Sequence, residues 1–168
     1  GVAINAASAC TGDNDPREIV ARALAIAGRT GRPLLYGVRK EPSDWPLAEQ
    51  LELLRPGDVV TYCFQGNEQS IVEGNRVVDS VWKARERGVL FDVGHGMSSF
   101  DFRVAETAIA RGFPPDTIST DQYRRHVGSV PQHDLPRTIS KLMAAGMPET
   151  DALARGTARP AEELGLAG

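Results

Sequence analysis

The sequence predicts an α/β fold of about five parallel strands with intervening helices, and three observations carry that expectation. Short β-branched or aromatic runs alternate with stretches of helical periodicity along the whole chain, the pattern of strands laid side by side beneath helical connections. The runs at 89–100, VLFDVGHGMSSF, and at 115–121, PDTISTD, end in Gly, His, Ser or Asp, as strands do when polar groups collect at their carboxyl ends. A helical stretch separates the two runs, so His95 and Asp121 are expected on one rim.

The elements follow in order. GVAIN at 1–5 reads as a strand, and TGDND at 11–15 as a turn that can cap a helix. Pro16 stands at that helix's first position and EIVARALAIAGR continues it. PLLYGV at 33–38 is the second strand, and a polar loop with Pro42 and Pro46 leads to LAEQLELL, whose leucines lie at helical spacing and which RPGD closes. VVTYCF at 59–64 is the third strand. In IVEGNRVVD, Gly74 and Asn75 lie between β-formers, so a short hairpin is expected. The helix SVWKARERG precedes the fourth strand, VLFDVGHG. FDFRVAETAIARG follows as a helix, with Ser99 expected as its N-cap and Asp101 in its first turn. PDTISTD is the fifth strand, and after a loop rich in Gly, Pro and His come the helices LPRTISKLMAAG, PETDALARG and PAEELG.

At 168 residues, 1–168 are expected to form one domain with a sizeable core. A hydrophobic share of 41% and a formal charge of −3 give no case for nucleic acid or an anionic membrane surface as partner. No apolar run approaches the roughly 20 residues that span a bilayer. The opening GVAIN has neither an initiator Met nor a signal peptide, and reads as the edge of an excised piece. Cys10 and Cys63 form no C-x-x-C pair and are expected reduced and partly buried, in a cytoplasmic protein. A closed (β/α)₈ barrel needs eight strands and about 250 residues, more than this chain holds.

The joint order and spacing of GRPLL, LRPGDVVTYCFQG, ARERGVLFDVGHGMSSFDFRVAE, GFPPDTISTD, DLPRTISKLMAAGM and TARPAEELGL resembles the amidohydrolase/deacetylase branch of the metal-dependent amidohydrolases, related to dihydroorotase. The resemblance spans 12–166, nearly the whole chain. It implies a partial TIM-barrel-like (β/α) repeat, the five strands corresponding to barrel strands four to eight. The H-x-H metal motif of the first strand then lies outside the chain. The resemblance also implies a binuclear site made by a carbamylated Lys on strand four, one His each on strands five and six, and an Asp on strand eight. Two close divalent cations need an anionic bridge, neutral imidazoles and a carboxylate to hold a hydroxide at neutral pH. By the same resemblance those positions fall on Ala3, Gly37, Tyr62 and Asp121, of which Asp121 alone is of ligand type. The family's T-D-x-H is Thr120-Asp121-Gln122-Tyr123 here.

Asp121 and His95 are the candidate catalytic residues, and His95, Gly96, Ser98 and Tyr62 the candidate substrate contacts. By resemblance His95 touches substrate or a catalytic water; the plainer reading has it cap a helix or bond a backbone carbonyl. Asp121 is either a base or metal ligand, or a relic paired with Arg124, Arg125 or a tyrosine hydroxyl. The GHGMSS turn can hold an anion through backbone N–H groups. His126 and His133 read as solvated loop histidines. Asp92 is expected buried and bonded to a backbone group or an arginine. Trp45, Trp82, Phe100 and Phe102 read as packing residues.

Two functions follow. In the first, the chain lacks a complete metal centre, needs no cofactor by itself, is inactive alone and acts as an interaction or structural subunit. Self-association or a second polypeptide then covers its open barrel edges. In the alternative it is a metal-dependent hydrolase of amide bonds in small N-acyl or cyclic amide substrates. A missing N-terminal segment or partner chain would complete it, and Asp121 would be a ligand for zinc or another divalent metal.

Overall fold

The chain begins with β1 (Val2–Asn5), whose end passes through a short helical turn, α1 (Ser8–Thr11), into α2 (Pro16–Thr30). β2 (Leu34–Gly37), α3 (Leu47–Glu52) and β3 (Val59–Thr61) follow. The hairpin β4 (Val72–Glu73) and β5 (Arg76–Val77) turns at Gly74 and Asn75, as the sequence predicts, and leads to α4 (Asp79–Glu86) and β6 (Leu90–Phe91). The remainder is helical: α5 (Phe102–Ala110), a 3₁₀ turn at Arg124–His126, α6 (Leu135–Ala144), α7 (Glu149–Gly156) and α8 (Ala158–Glu163). This computed structural model describes residues 1–38, 45–96 and 98–166. Pro42 of the expected polar loop and Met97 of the GHGMSS turn lie outside the described residues.

β1, β2, β3 and β6 stand side by side in chain order, each parallel to the next, with Asn5 opposite Gly37 and Gly37 opposite Thr61. Consecutive parallel pairing with helical crossovers is the wall of a partial (β/α) barrel. The expected fifth strand is reduced to one parallel bridge, Asp92 with Thr117. Two further bonds extend it: Val93 N–H donates to the Thr117 carbonyl at 3.2 Å and His95 N–H to the Ser119 carbonyl at 3.0 Å. Its outer side is used differently, since Ile118 N–H donates to the Arg155 carbonyl of α7 at 2.8 Å. Pro114 and Pro115, just before it, have no N–H to lengthen the ladder.

Side chains alternate across the wall. Leu34 and Tyr36, Val60 and Phe91 are buried in one core with Val20, Ala27, Leu51, Val81 and Phe113 from the outer elements. The Tyr36 hydroxyl donates to Gln50 Oε1 at 2.7 Å and Gln50 Nε2 to the Trp45 carbonyl at 2.7 Å, so these two buried polar side chains are bonded within the core. The opposite, inward face carries Leu35, which is 41% exposed, and lines a cavity of about 420 Å³ with Val59, Asp92, Thr117 and Ser119.

Helix ends follow local chemistry. Asp15 caps α2 by accepting from Arg17 N–H at 2.9 Å, Pro16 opens it, and left-handed Gly31 closes it. At α5 the cap is Asp101, which accepts from Arg103 N–H at 2.8 Å, rather than the expected Ser99. Asp101 is the residue next to the helix with a carboxylate short enough to reach that amide.

At the amino ends of the strands, buried Asp58 accepts from Leu34 N–H at 2.8 Å, Arg55 N–H at 2.9 Å and the Arg55 guanidinium at 2.9 Å. It ties the RPGD turn to the start of β2. Asp58→Ala strands two amide donors, so a loss of about 2–3 kcal/mol is expected. Urea unfolding with an unchanged m-value checks it.

Candidate functional site at the carboxyl ends of the strands

The rim is organised by a buried carboxylate. Asp92 accepts from Thr61 Oγ1 at 2.9 Å, Thr117 Oγ1 at 2.7 Å and Ser119 Oγ at 2.6 Å, joining β3, the end of β6 and the fifth segment. Burial pushes this carboxyl up from its ordinary value, against the pull of the three hydroxyls. Of the partners expected for Asp92, the backbone group is present in the Gly94 N–H, while hydroxyls on two neighbouring segments stand in place of the arginine. Thr and Ser at alternate positions put those hydroxyls on the inward face.

Beside this knot lie Tyr62 (φ 65°) and Asp121 (φ 47°), the residues other than glycine that take positive φ among the described residues. Such geometry costs of order 1 kcal/mol or more per residue and persists where surroundings enforce it. The Tyr62 hydroxyl donates to Asp121 Oδ2 at 3.5 Å. Burial first, and the Asp121 charge second, push the phenol up from its ordinary value.

Glycines make room for the ring. A Cβ on Gly37 would sit 3.1 Å from Tyr62 Cε2 and 3.2 Å from Asn5 Cα, and one on Gly94 would sit 2.9 Å from Tyr62 Cδ1. A Cβ on Gly96 would come within 2.8 Å of Asp121 Oδ2. Ala3, Asn5, Gly37, Thr61 and Tyr62 together line a cavity of about 190 Å³. The three positions singled out in the sequence beside Asp121 therefore share one small space at the rim.

His95, between Gly94 and Gly96, has its ring buried and stacked on Phe100 at 4.8 Å between centroids and 20° between planes. Lys141 Nζ of α6 is 2.9 Å from His95 Nε2. An ammonium can only donate, so Nε2 holds the lone pair and Nδ1 the hydrogen. Burial, and then the Lys141 charge, pull the imidazole down to about 4. The N–H groups of His95 and Gly96 are bonded to the carbonyls of Ser119 and Gly94, so these two are not free to cradle an anion. Ser98 is exposed on the same turn.

No family model matches the chain. A deacetylase of Enterococcus faecalis is 39% identical over 136 residues, 80% of this chain and 36% of its own. A deacetylase of Agrobacterium fabrum is 40% identical over 135 residues, again 80% of this chain but 32% of its own. A solved adenine deaminase superposes on 99% of the chain with a TM-score of 0.85 and 34% identity, and a dihydroorotase on 100% with 0.83 and 36%. The chain belongs to the metal-dependent amidohydrolase superfamily. It is a deacetylase-like member in sequence and a partial TIM barrel in fold. It spans about a third of the length of the curated relatives it matches, and 45% of each solved chain.

Within this amidohydrolase-like rim the loop after Asp121 corrects one expectation. His126 is 3% exposed and His133 half-buried, rather than solvated. Their rings approach to 4.2 Å, and His133 approaches His95 to 5.0 Å. Tyr123 N–H donates to His126 Nδ1 at 3.3 Å, and His133 Nε2 donates to the Thr120 carbonyl at 2.8 Å, folding the loop back onto the rim. Of the partners expected for Asp121, the Tyr62 hydroxyl is at hand, while the Arg125 guanidinium bonds the Tyr123 hydroxyl.

Sequence reasoning missed Lys141. Its spacing from Arg137 places both on one helical face, but periodicity does not say that this face meets His95.

Two measurements check this geometry. Gly37→Ala is expected to cost about 1–3 kcal/mol through the clash with the ring and the Asn5 backbone. Tyr62→Ala should restore part of it, so a double-mutant cycle should show coupling of at least about 0.5 kcal/mol. The second concerns acid. His95 protonates near 6.5 when unfolded and near 4 in the fold. The unfolded chain then binds more protons between these values, so stability is complete above the upper one and falls as pH drops through the window. His95→Gln should flatten that stretch of the stability profile measured by denaturant unfolding; an identical slope would refute the assignment.

Proposed function

We propose that this amidohydrolase-like chain builds no metal centre of its own and serves as an interaction or structural subunit. The observation that carries the reading is the packing of Tyr62 between Gly37 and Gly94 with its hydroxyl turned to Asp121. At the positions where the family's resemblance asks for Lys, His and His, the residues are Ala3, Gly37 and Tyr62. Methyl and hydrogen offer no donor, and the phenol ring takes up space between the strands. These residues do not fit a binuclear centre. Among the described residues no group of three or more His, Cys, Asp or Glu side chains is arranged to hold a metal ion.

The inward face, with Leu35 exposed and β1 at the sheet's end, supplies the surface to be covered. A second copy or a second polypeptide that adds strands would bury it. Among the described residues no helix is long and apolar enough to cross a membrane.

One observation favours a second reading. The curated relatives are named deacetylases and are roughly three times as long as the matched region. A further segment or partner chain supplying the H-x-H pair would complete a metal-dependent hydrolase of amide bonds in small N-acyl or cyclic amide substrates, with Asp121 as a ligand.

Metal analysis, solution mass and hydrolysis of N-acetyl amino acids by the purified chain decide between them. An oligomer with substoichiometric metal and no hydrolysis is expected, and Asp121→Asn should shift stability by no more than about 1 kcal/mol. One tightly held zinc per chain, lost in Asp121→Asn together with turnover, would overturn the proposal.

A further inference from the structure

Three imidazoles meet at the rim. The His133 ring approaches His95 to 5.0 Å and His126 to 4.2 Å between centroids, and the Tyr123 ring lies 4.0 Å from His126. The rings come from three places in the fold: His95 just beyond β6, His126 in the 3₁₀ turn and His133 just ahead of α6. His95 and His126 are buried.

Those two buried rings accept hydrogen bonds from groups that can only donate. His126 Nδ1 accepts from the Tyr123 amide at 3.3 Å, and His95 Nε2 accepts from the Lys141 ammonium at 2.9 Å. Each bond exists only while its imidazole is neutral, since a protonated ring carries N–H at both nitrogens. The other nitrogen of His126, Nε2, is buried without a hydrogen-bond partner.

We propose that the segment 122–133 is a pH-sensitive strap, held against the rim by neutral His126 and released when that ring takes a proton in mild acid. Protonation turns the Nδ1 lone pair into an N–H aimed at the Tyr123 N–H and removes the bond that folds the segment. It also sets a charge against the His133 ring and near Arg125. The surroundings offer that charge little relief. Arg124 and Arg125 lie on the segment itself, α6 brings Lys141 with Arg137 beside it, and His95 faces His133 from beyond β6. Asp121 favours the proton, but acts on His126 more weakly than burial, His133 and Arg125 oppose it. Asp134 is engaged in capping α6 through the Arg137 N–H at 2.8 Å.

The closed strap therefore binds fewer protons than the open one. Closure is complete above the ordinary histidine value of 6.5 and weakens as pH falls below it. Release uncovers the His95 ring and the Thr120 carbonyl, both of which His133 meets in the closed form. The inference goes beyond the proposed function, because it needs neither metal nor partner.

The test titrates the full ¹⁵N-labelled chain in EDTA from about pH 7.5 to about pH 4.5, with NMR following the His126 ring and backbone order. Order parameters over 122–133 should fall from about 0.85 to below about 0.6 in step with the His126 titration, while those of α2 and β2 hold. His126→Asn places an amide oxygen where Nδ1 stands and cannot titrate, so its strap should stay ordered at about pH 4.5. A strap that remains ordered after His126 has titrated, one that loosens together with α2 and β2, or one that loosens in His126→Asn as in the unaltered chain would each overturn the proposal. Metal content and solution mass do not enter this readout, so its failure is separable from that of the proposed function.

Discussion

The rim depends on the Asp92 carboxylate. The ladder at this end is short: β6 is two residues long, and the segment beyond it contributes a single bridge and a few further backbone bonds. A buried anion without bonds would be intolerable there, and the hydroxyls of Thr61, Thr117 and Ser119 make it a clamp across three segments. Everything at the surface above hangs on those anchor points. Thr61 immediately precedes Tyr62, and Ser119 stands two residues before Asp121, so fixing the hydroxyls fixes two backbones in left-handed geometry.

Local chemistry made much of the scaffold legible in sequence. Asp15, Pro16 and Gly31 mark both ends of α2 because a cap, a ring-locked φ and a left-handed stop act through neighbouring atoms. The Gly74-Asn75 hairpin is legible for the same reason. The fifth strand was harder. PDTISTD has strand composition, yet whether it forms a ladder is decided by what lies on its far side, and there the Arg155 carbonyl intervenes. The cap of α5 moved from Ser99 to Asp101 by the ordinary uncertainty of where a helix starts.

The candidate site was legible in its positions but not in its contacts. Resemblance picked out Ala3, Gly37, Tyr62 and Asp121, and the first three do line one small cavity. Nothing in the sequence could say that the Tyr62 ring needs Gly94 as well as Gly37, since these meet only through the register of three strands. The burial of His126 on His133 and the pairing of Lys141 with His95 are likewise tertiary facts, joining residues 7 and 46 positions apart. Histidines in a Gly- and Pro-rich loop look solvated until the loop is folded.

The glycines around Tyr62 also constrain which side chains the rim can hold. A histidine placed at position 37 would crowd the ring and the Asn5 backbone. A smaller group at 62 would leave an unfilled space between two glycines. A change of size at one of these positions therefore calls for a matching change at the others. The ring and the glycines that face it thus form one volume-matched set, in which the size tolerated at one position is decided by the others.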